Sequence, residues 1–155
     1  SSYNEQPWSW VVAPRDDAEG FARLLSTLLP MNQEWAKNAA VLAISLARTG
    51  FERNGRPNRH AYHDVGQAAS SMALEAVANG FAIHQMAGFD MDRVRQLCLL
   101  PPTFEAVAAI AIGRPGPASS LPDGLRERET APRQRRALRD VVFGATFGQT
   151  AGFVR

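Results

Sequence analysis

Ser1-Ser2-Tyr3-Asn4-Glu5-Gln6-Pro7-Trp8 is the stretch around which the rest of the chain is organised. Two small hydroxyl residues, an asparagine and a glutamine fall within the first six positions, closed by a proline and an indole. Such a segment offers polar edges to a planar, amide-like ligand. Pro7 carries no N–H and fixes its own φ, so a turn is expected there before a strand that begins near Trp8. Taken alone, the run reads equally well as a capped turn leading into a strand.

The chain has 155 residues, enough for one domain with a sizeable core. With 45% hydrophobic and 21% charged residues its composition is that of a globular protein rather than a disordered one. The longest apolar run, Ala39 to Ala47, falls well short of the ~20 residues that span a bilayer. Residues 1–8 are polar and lack the apolar segment of a signal peptide. Cys98, without a second cysteine, forms no internal disulfide, which makes a reducing cytoplasm the expected location. Net charge is only +2, and the basic side chains are almost wholly arginine, Lys37 being the one lysine.

Outward from the opening stretch, Trp8 to Ala13 reads as a strand closed by Pro14. Asp16 or Asp17 caps a helix whose apolar face is Phe21, Leu24, Leu25 and Leu28, with Pro30 ending it. Asn32 to Asn38 is a short helical turn with Trp35 and Ala36 facing in. Ala39 to Ala47, apolar without alternation, suits a strand covered on both faces. Gly50, Asn54-Gly55 and Arg56-Pro57 mark a loop over 48–58. Arg59 to Asn79 is the longest helix, ended by Gly80. Its many small residues, among them Gly66, Ala68, Ala69, Ser70 and Ala73, predict close packing on several sides. Burial within one subunit and burial between two explain that equally. Phe81 to Met86 is a strand, followed by a turn and a helix capped by Asp90 with Val94, Leu97 and Cys98 inward. Phe104 to Ile112 is a second buried strand. A proline-bearing loop over 113–124, a charged helix over 121–130 and an amphipathic piece from Leu138 to Phe143 complete the pattern. No repeat and no interdomain linker is visible, so one domain over 1–155 is expected, with helices alternating with strands around one sheet.

Two stretches carry a family resemblance. Ser-Ser-x-Asn-x-Gln-Pro-Trp over residues 1–8 is similar to the N-terminal flavin-contact motif of the FMN-dependent nitroreductases, the oxygen-insensitive NAD(P)H type. His84-Gln85-Met86-Ala87-Gly88-Phe89-Asp90 resembles their second flavin motif. The resemblance implies an α+β fold, an α/β sandwich with a central mixed sheet flanked by helices. It also implies a homodimer with the 59–79 helix at its centre. FMN is the implied cofactor, NADH or NADPH the reductant, and a nitroaromatic or quinone-like small molecule the electron acceptor, reduced by ping-pong hydride transfer. Ser1, Ser2, Asn4 and Gln6 would meet the polar edge of the flavin. Met86, Ala87 and Gly88, with Gln85 nearby, would face its N5 edge through the backbone. Arg133 and Arg135, with Arg136 as a substitute, would hold the phosphate. No side chain is assigned a catalytic role, because the flavin carries the difficult chemistry.

The resemblance opens inside the family pattern. A helical segment with an Arg-Ser-x-Arg-like cluster that binds the FMN phosphate precedes these motifs in the family, and it is not among these residues. An incomplete chain or a fragment is the expectation. The rival reading is a non-catalytic flavin- or partner-binding protein of the same fold with an incomplete cofactor site.

The remaining patterns weigh less. The turn at 85–88 joins a strand to a helix start, where free N–H groups and the helix dipole favour electron-rich atoms. An ordinary turn with a flexible glycine explains it as well. Arg126, Arg128, Arg133, Arg135, Arg136 and Arg139 form a basic run without interleaved aromatic residues, which argues against nucleic acid. A solvated face and a phosphate site both remain open there. His60, His63 and Asp64 share a helical face but lack a fourth ligand, so helix-terminal polar packing is preferred to a metal. His84 and Cys98 read as core.

Overall fold

Residues 41–48 form the strand with most of its side chains buried, and the first sheet layer is built outward from it. The computed structural model describes residues 1–154. They divide into two compact units, Ser1–Gly116 and a second beginning at Pro117. The first holds strands β1 (Trp8–Pro14), β2 (Val41–Arg48), β3 (Ala82–Met86) and β4 (Phe104–Gly113). Helices α1 (Ala18–Leu25), α2 (Pro30–Ala36), α3 (Ala61–Ala78) and α4 (Met91–Leu97) complete it. The second unit holds α5 (Asp123–Thr130) between two short 3-10 turns.

The sheet order is β1-β2-β4-β3, so β1 and β3 are the two edges. The class is α+β as expected, while all three pairings are antiparallel where a mixed sheet was expected. Alternation along β2 explains the double burial. Leu42, Ile44 and Leu46 join Phe21, Leu24, Ala36 and Val94 on one face, whereas Ala47 meets Ala61 and Val65 of α3 on the other. Helices α1, α2 and α4 therefore cover one side and α3 the other.

β4 keeps its apolar residues on the right faces only by a bulge. Ser45 pairs with Ala108 but Leu46 pairs with Ala106, leaving Val107 as the extra residue. Ser45, 1% exposed, donates its hydroxyl to the Ala108 carbonyl at 3.1 Å and accepts from the Ala108 N–H at 3.0 Å. One side chain thus bonds both backbone groups of Ala108 beside the bulge.

Other boundaries differ for local reasons. Asp17 caps α1, accepting from the Gly20 N–H at 3.0 Å. Pro30 does not end that helix but opens α2 at its first turn, where its missing N–H costs nothing. Leu28 lies outside α1, and bridges to Phe89 instead. Gly80 ends α3 with φ +75° as expected of a glycine past a helix end. Only Ala61, Asp64, Val65 and Ala69 of α3 are buried, a single stripe. Close packing on several sides is thus not supplied among the described residues of this chain. The stretch from Leu138 to Phe143 is not a helix. It has one 3-10 turn over Leu138–Asp140, with Leu138 exposed. No helix among the described residues is long and apolar enough to cross a membrane.

Candidate functional site

The turn after β3 is built by the segment that joins α1 to α2. The Leu29 N–H donates to the Gly88 carbonyl at 3.0 Å, and the Asn32 side-chain amide donates to the same oxygen at 2.9 Å. The Asp90 N–H donates to the Thr27 carbonyl at 2.8 Å, and the buried Thr27 hydroxyl returns to Leu24. Met86 is buried in the main core, so its side chain anchors the turn. Its neighbours Ala87 and Gln85 are exposed. Among the described residues the N–H groups of Ala87 and Gly88 have no protein acceptor. The turn therefore presents two adjacent donors on a backbone pinned from behind.

Glycine at 88 has a reason within the chain itself. A Cβ there would lie 2.5 Å from Nδ2 of Asn32 and 3.6 Å from Cδ1 of Leu29. The missing side chain makes room for Asn32, and Gly88 has no positive φ. The helix dipole is likewise not at the turn. α4 starts at Met91, and one of its first N–H groups, that of Arg93, donates to the Asp90 carboxylate at 2.9 Å. His84, expected in the core, is exposed, with its ring edge-on to Trp35 at 5.0 Å. Cys98 packs at the core margin as expected.

The opening stretch folds as a 3-10 turn over Ser2–Asn4. Ser1 Oγ accepts from the Gln6 N–H at 3.0 Å, and the Gln6 side-chain amide donates to the Asn4 carbonyl at 3.2 Å. Ser2 and Asn4 keep their side-chain polar groups uncommitted among the described residues. Pro7 is fully buried, and its carbonyl takes the Arg48 N–H at 2.8 Å.

This stretch leads into β1, and the Gln85–Gly88 turn leaves β3, at opposite edges of the sheet. Three strand spacings separate the edges, roughly 14 Å. One chain does not bring the two motifs together. Arg133, Arg135 and Arg136 are exposed residues of the second unit. Arg135 donates to the Gln134 carbonyl and Arg136 to that of Asp140.

Away from these motifs, a cleft of about 250 Å³ lined by Val12, Asp17, Arg23, Leu97, Cys98 and Leu99 holds none of the predicted site residues. Burial pushes the Cys98 thiol above its usual range, partly offset by Arg23. The Tyr62 hydroxyl donates to Glu105, which raises the phenol pKa, with burial and the carboxylate charge adding to it. His60, His63 and Asp64 do not gather, and no three His, Cys, Asp or Glu residues group to hold a metal among the described residues.

Sequence reading missed Asn32, Leu29 and Thr27. Their importance comes from a contact with residues 56 or more positions away, and an asparagine in a short helical turn gives no sign of it.

The nitroreductase family pattern matches residues 22–114. An uncharacterized 15.4 kDa protein in the ask 5′ region of Mycolicibacterium smegmatis is 32% identical over 133 residues, 86% of this chain and 88% of that one. A crystal structure of an oxidoreductase containing FMN superposes with a TM-score of 0.89 at 35% identity, covering 97% of this chain and 76% of that one. A nitroreductase family protein of Clostridium difficile shares the fold, with a TM-score of 0.68 at 19% identity over 94% of this chain and 78% of its own. The chain belongs to the nitroreductase family.

Proposed function

We propose that this protein is an FMN-dependent oxidoreductase that uses NADH or NADPH to reduce an electron-poor acceptor of the nitroaromatic or quinone class. The observation that carries this reading is the pair of free N–H groups at Ala87 and Gly88, on a turn held by Asn32 and Leu29. Donors fixed in advance need no reorganisation when they meet an electron-rich ring edge. The FMN content of the similar oxidoreductase supports the same cofactor here. When bound, FMN would supply hydride transfer between the nicotinamide and the acceptor.

The chain's own part is to hold and orient. Ala87 and Gly88 donate to the N5 side of the ring from their backbone. Ser1, Ser2, Asn4 and Gln6 offer polar groups to the polar edge of the flavin. Arg133 and Arg135 hold the phosphate, with Arg136 in reserve, by charge-assisted hydrogen bonds. Because the first two sets sit on opposite sheet edges, two copies of the chain share each cofactor, the opening stretch coming from one and the turn from the other. The C-terminal half of α3 suits that dimer, since Leu74 is 72% and Val77 64% exposed in the single chain. A site divided between subunits also accounts for the cleft described above lacking the predicted residues.

The test is a fluorescence titration of the purified protein with FMN, followed by anaerobic addition of NADPH or NADH. Binding with bleaching of the flavin band supports the reading. Binding without bleaching favours a non-catalytic flavoprotein, and no binding removes the flavin role.

A further inference from the structure

Tyr3, Asn4 and Gln6 hold φ values of 55°, 56° and 48°. That left-handed region is unfavourable for residues with a Cβ and persists where the surroundings enforce it. The enforcing elements lie on the loop over residues 49–60. This loop is stiff in its own right. The Phe51 N–H donates to the Arg56 carbonyl at 2.8 Å, the Gly55 N–H returns to Phe51 at 2.7 Å, and Gly50 bridges Pro57. Three contacts run from it to the opening stretch. The Glu52 N–H donates to the Glu5 carboxylate at 3.0 Å. Phe51 meets Tyr3 edge-on with ring centres 6.0 Å apart. The Arg53 guanidinium lies 3.9 Å from the centre of the Tyr3 ring and 5.5 Å from that of Phe51. Arg48 neutralises Glu52 at 2.8 Å, and no carboxylate pairs with Arg53 among the described residues. The guanidinium is committed to the aromatic pair.

We propose that the 49–60 loop is a clamp that sets the shape of the cofactor-contacting N-terminal segment, with Arg53, Tyr3 and Glu5 as positioning residues. The proposal rests on the reading of residues 1–6 as an FMN contact. Arg53 closes over Tyr3, Tyr3 seats against Phe51, and the Glu5 carboxylate accepts from the Glu52 N–H. The left-handed backbone at Tyr3 and Asn4 is thereby fixed, and with it the placement of the uncommitted Ser2 and Asn4 side chains. None of the three clamp residues needs to touch the cofactor.

Two measurements on the full chain test this. Amide hydrogen exchange at Gln6 and Glu52 reports the clamp without any flavin, and an FMN titration reports its consequence. Arg53→Ala and Tyr3→Ala are expected to speed exchange at both amides and to weaken FMN by about two- to fivefold, the scale of an exposed cation–π contact. The urea midpoint should stay unchanged, because these contacts lie outside the core. Tyr3→Phe, which keeps the ring, should behave as wild type, and Arg53→Lys should recover part of the loss. Unchanged exchange in Arg53→Ala overturns the clamp. Faster exchange with unchanged FMN affinity overturns its role in positioning. A wild-type chain that binds no FMN overturns the cofactor reading, and the positioning role falls with it, while exchange still reports whether the clamp exists.

Discussion

Asn32 donates its side-chain amide to the carbonyl of Gly88 at 2.9 Å, and a Cβ at Gly88 would approach that same nitrogen to 2.5 Å. The two residues therefore depend on each other. Gly88→Ala should break the bond by displacing Asn32, at a cost of about 1–3 kcal/mol. Asn32→Ala should lose a similar amount. The double variant should lose less than the sum, with a coupling of about 0.5–3 kcal/mol. Urea denaturation of all four proteins checks this, and strict additivity would remove the dependence.

The same contact places the turn that we assign to the flavin. Gly88→Val should lower the flavin content of the purified protein more than Cys98→Ala does, since Cys98 belongs to the core margin. Equal flavin content in two variants of equal stability would remove the turn from the cofactor site.

Ser45 should matter out of proportion to its size. Ser45→Ala removes both hydrogen bonds to the half-buried Ala108 backbone, a loss of about 1–3 kcal/mol. The chemical-denaturation midpoint reads this directly. A shift no larger than that of a surface serine would show that the bulge is satisfied in another way.

The proposed homodimer should bury more than ~2,000 Å² in total, centred on α3. Leu74→Glu with Val77→Glu should give a folded monomer in analytical ultracentrifugation, because both side chains are exposed in the single chain. A wild-type protein that is monomeric at micromolar concentration would contradict the shared site.

Cys98 supplies a pH test. Burial raises its pKa, so the folded chain favours the neutral thiol and forms thiolate at higher pH than the unfolded chain. The associated stability is present below the unfolded-chain pKa and lost as pH rises through the raised value. Iodoacetamide alkylation should therefore inflect at higher pH in native protein than in urea. Arg23→Ala should move the native inflection further up, because Arg23 opposes the shift. Coinciding inflections in native and denatured protein would refute the burial effect.

Several features were legible in the sequence because local chemistry determines them. Prolines, glycines and capping aspartates act within a few residues, so the strand from Trp8, a cap at Asp16 or Asp17, the cap at Asp90 and the stop at Gly80 follow from neighbours alone, and the fold chooses Asp17. Apolar runs at 39–47 and 104–112 announce buried strands, which form at 41–48 and 104–113, and the two motifs announce the family. What a run apolar on both faces cannot encode is its register, so the bulge at Val107 and the part played by Ser45 emerged only from pairing. Nor does proximity along the chain encode strand order. The order β1-β2-β4-β3 sends the two motifs to opposite edges, and folding of 27–32 against 88–90 makes Asn32 the support of Gly88. Hydrogen bonds and van der Waals contacts act over a few ångströms, so residues far apart in sequence acquire their roles only when tertiary packing brings them within that range.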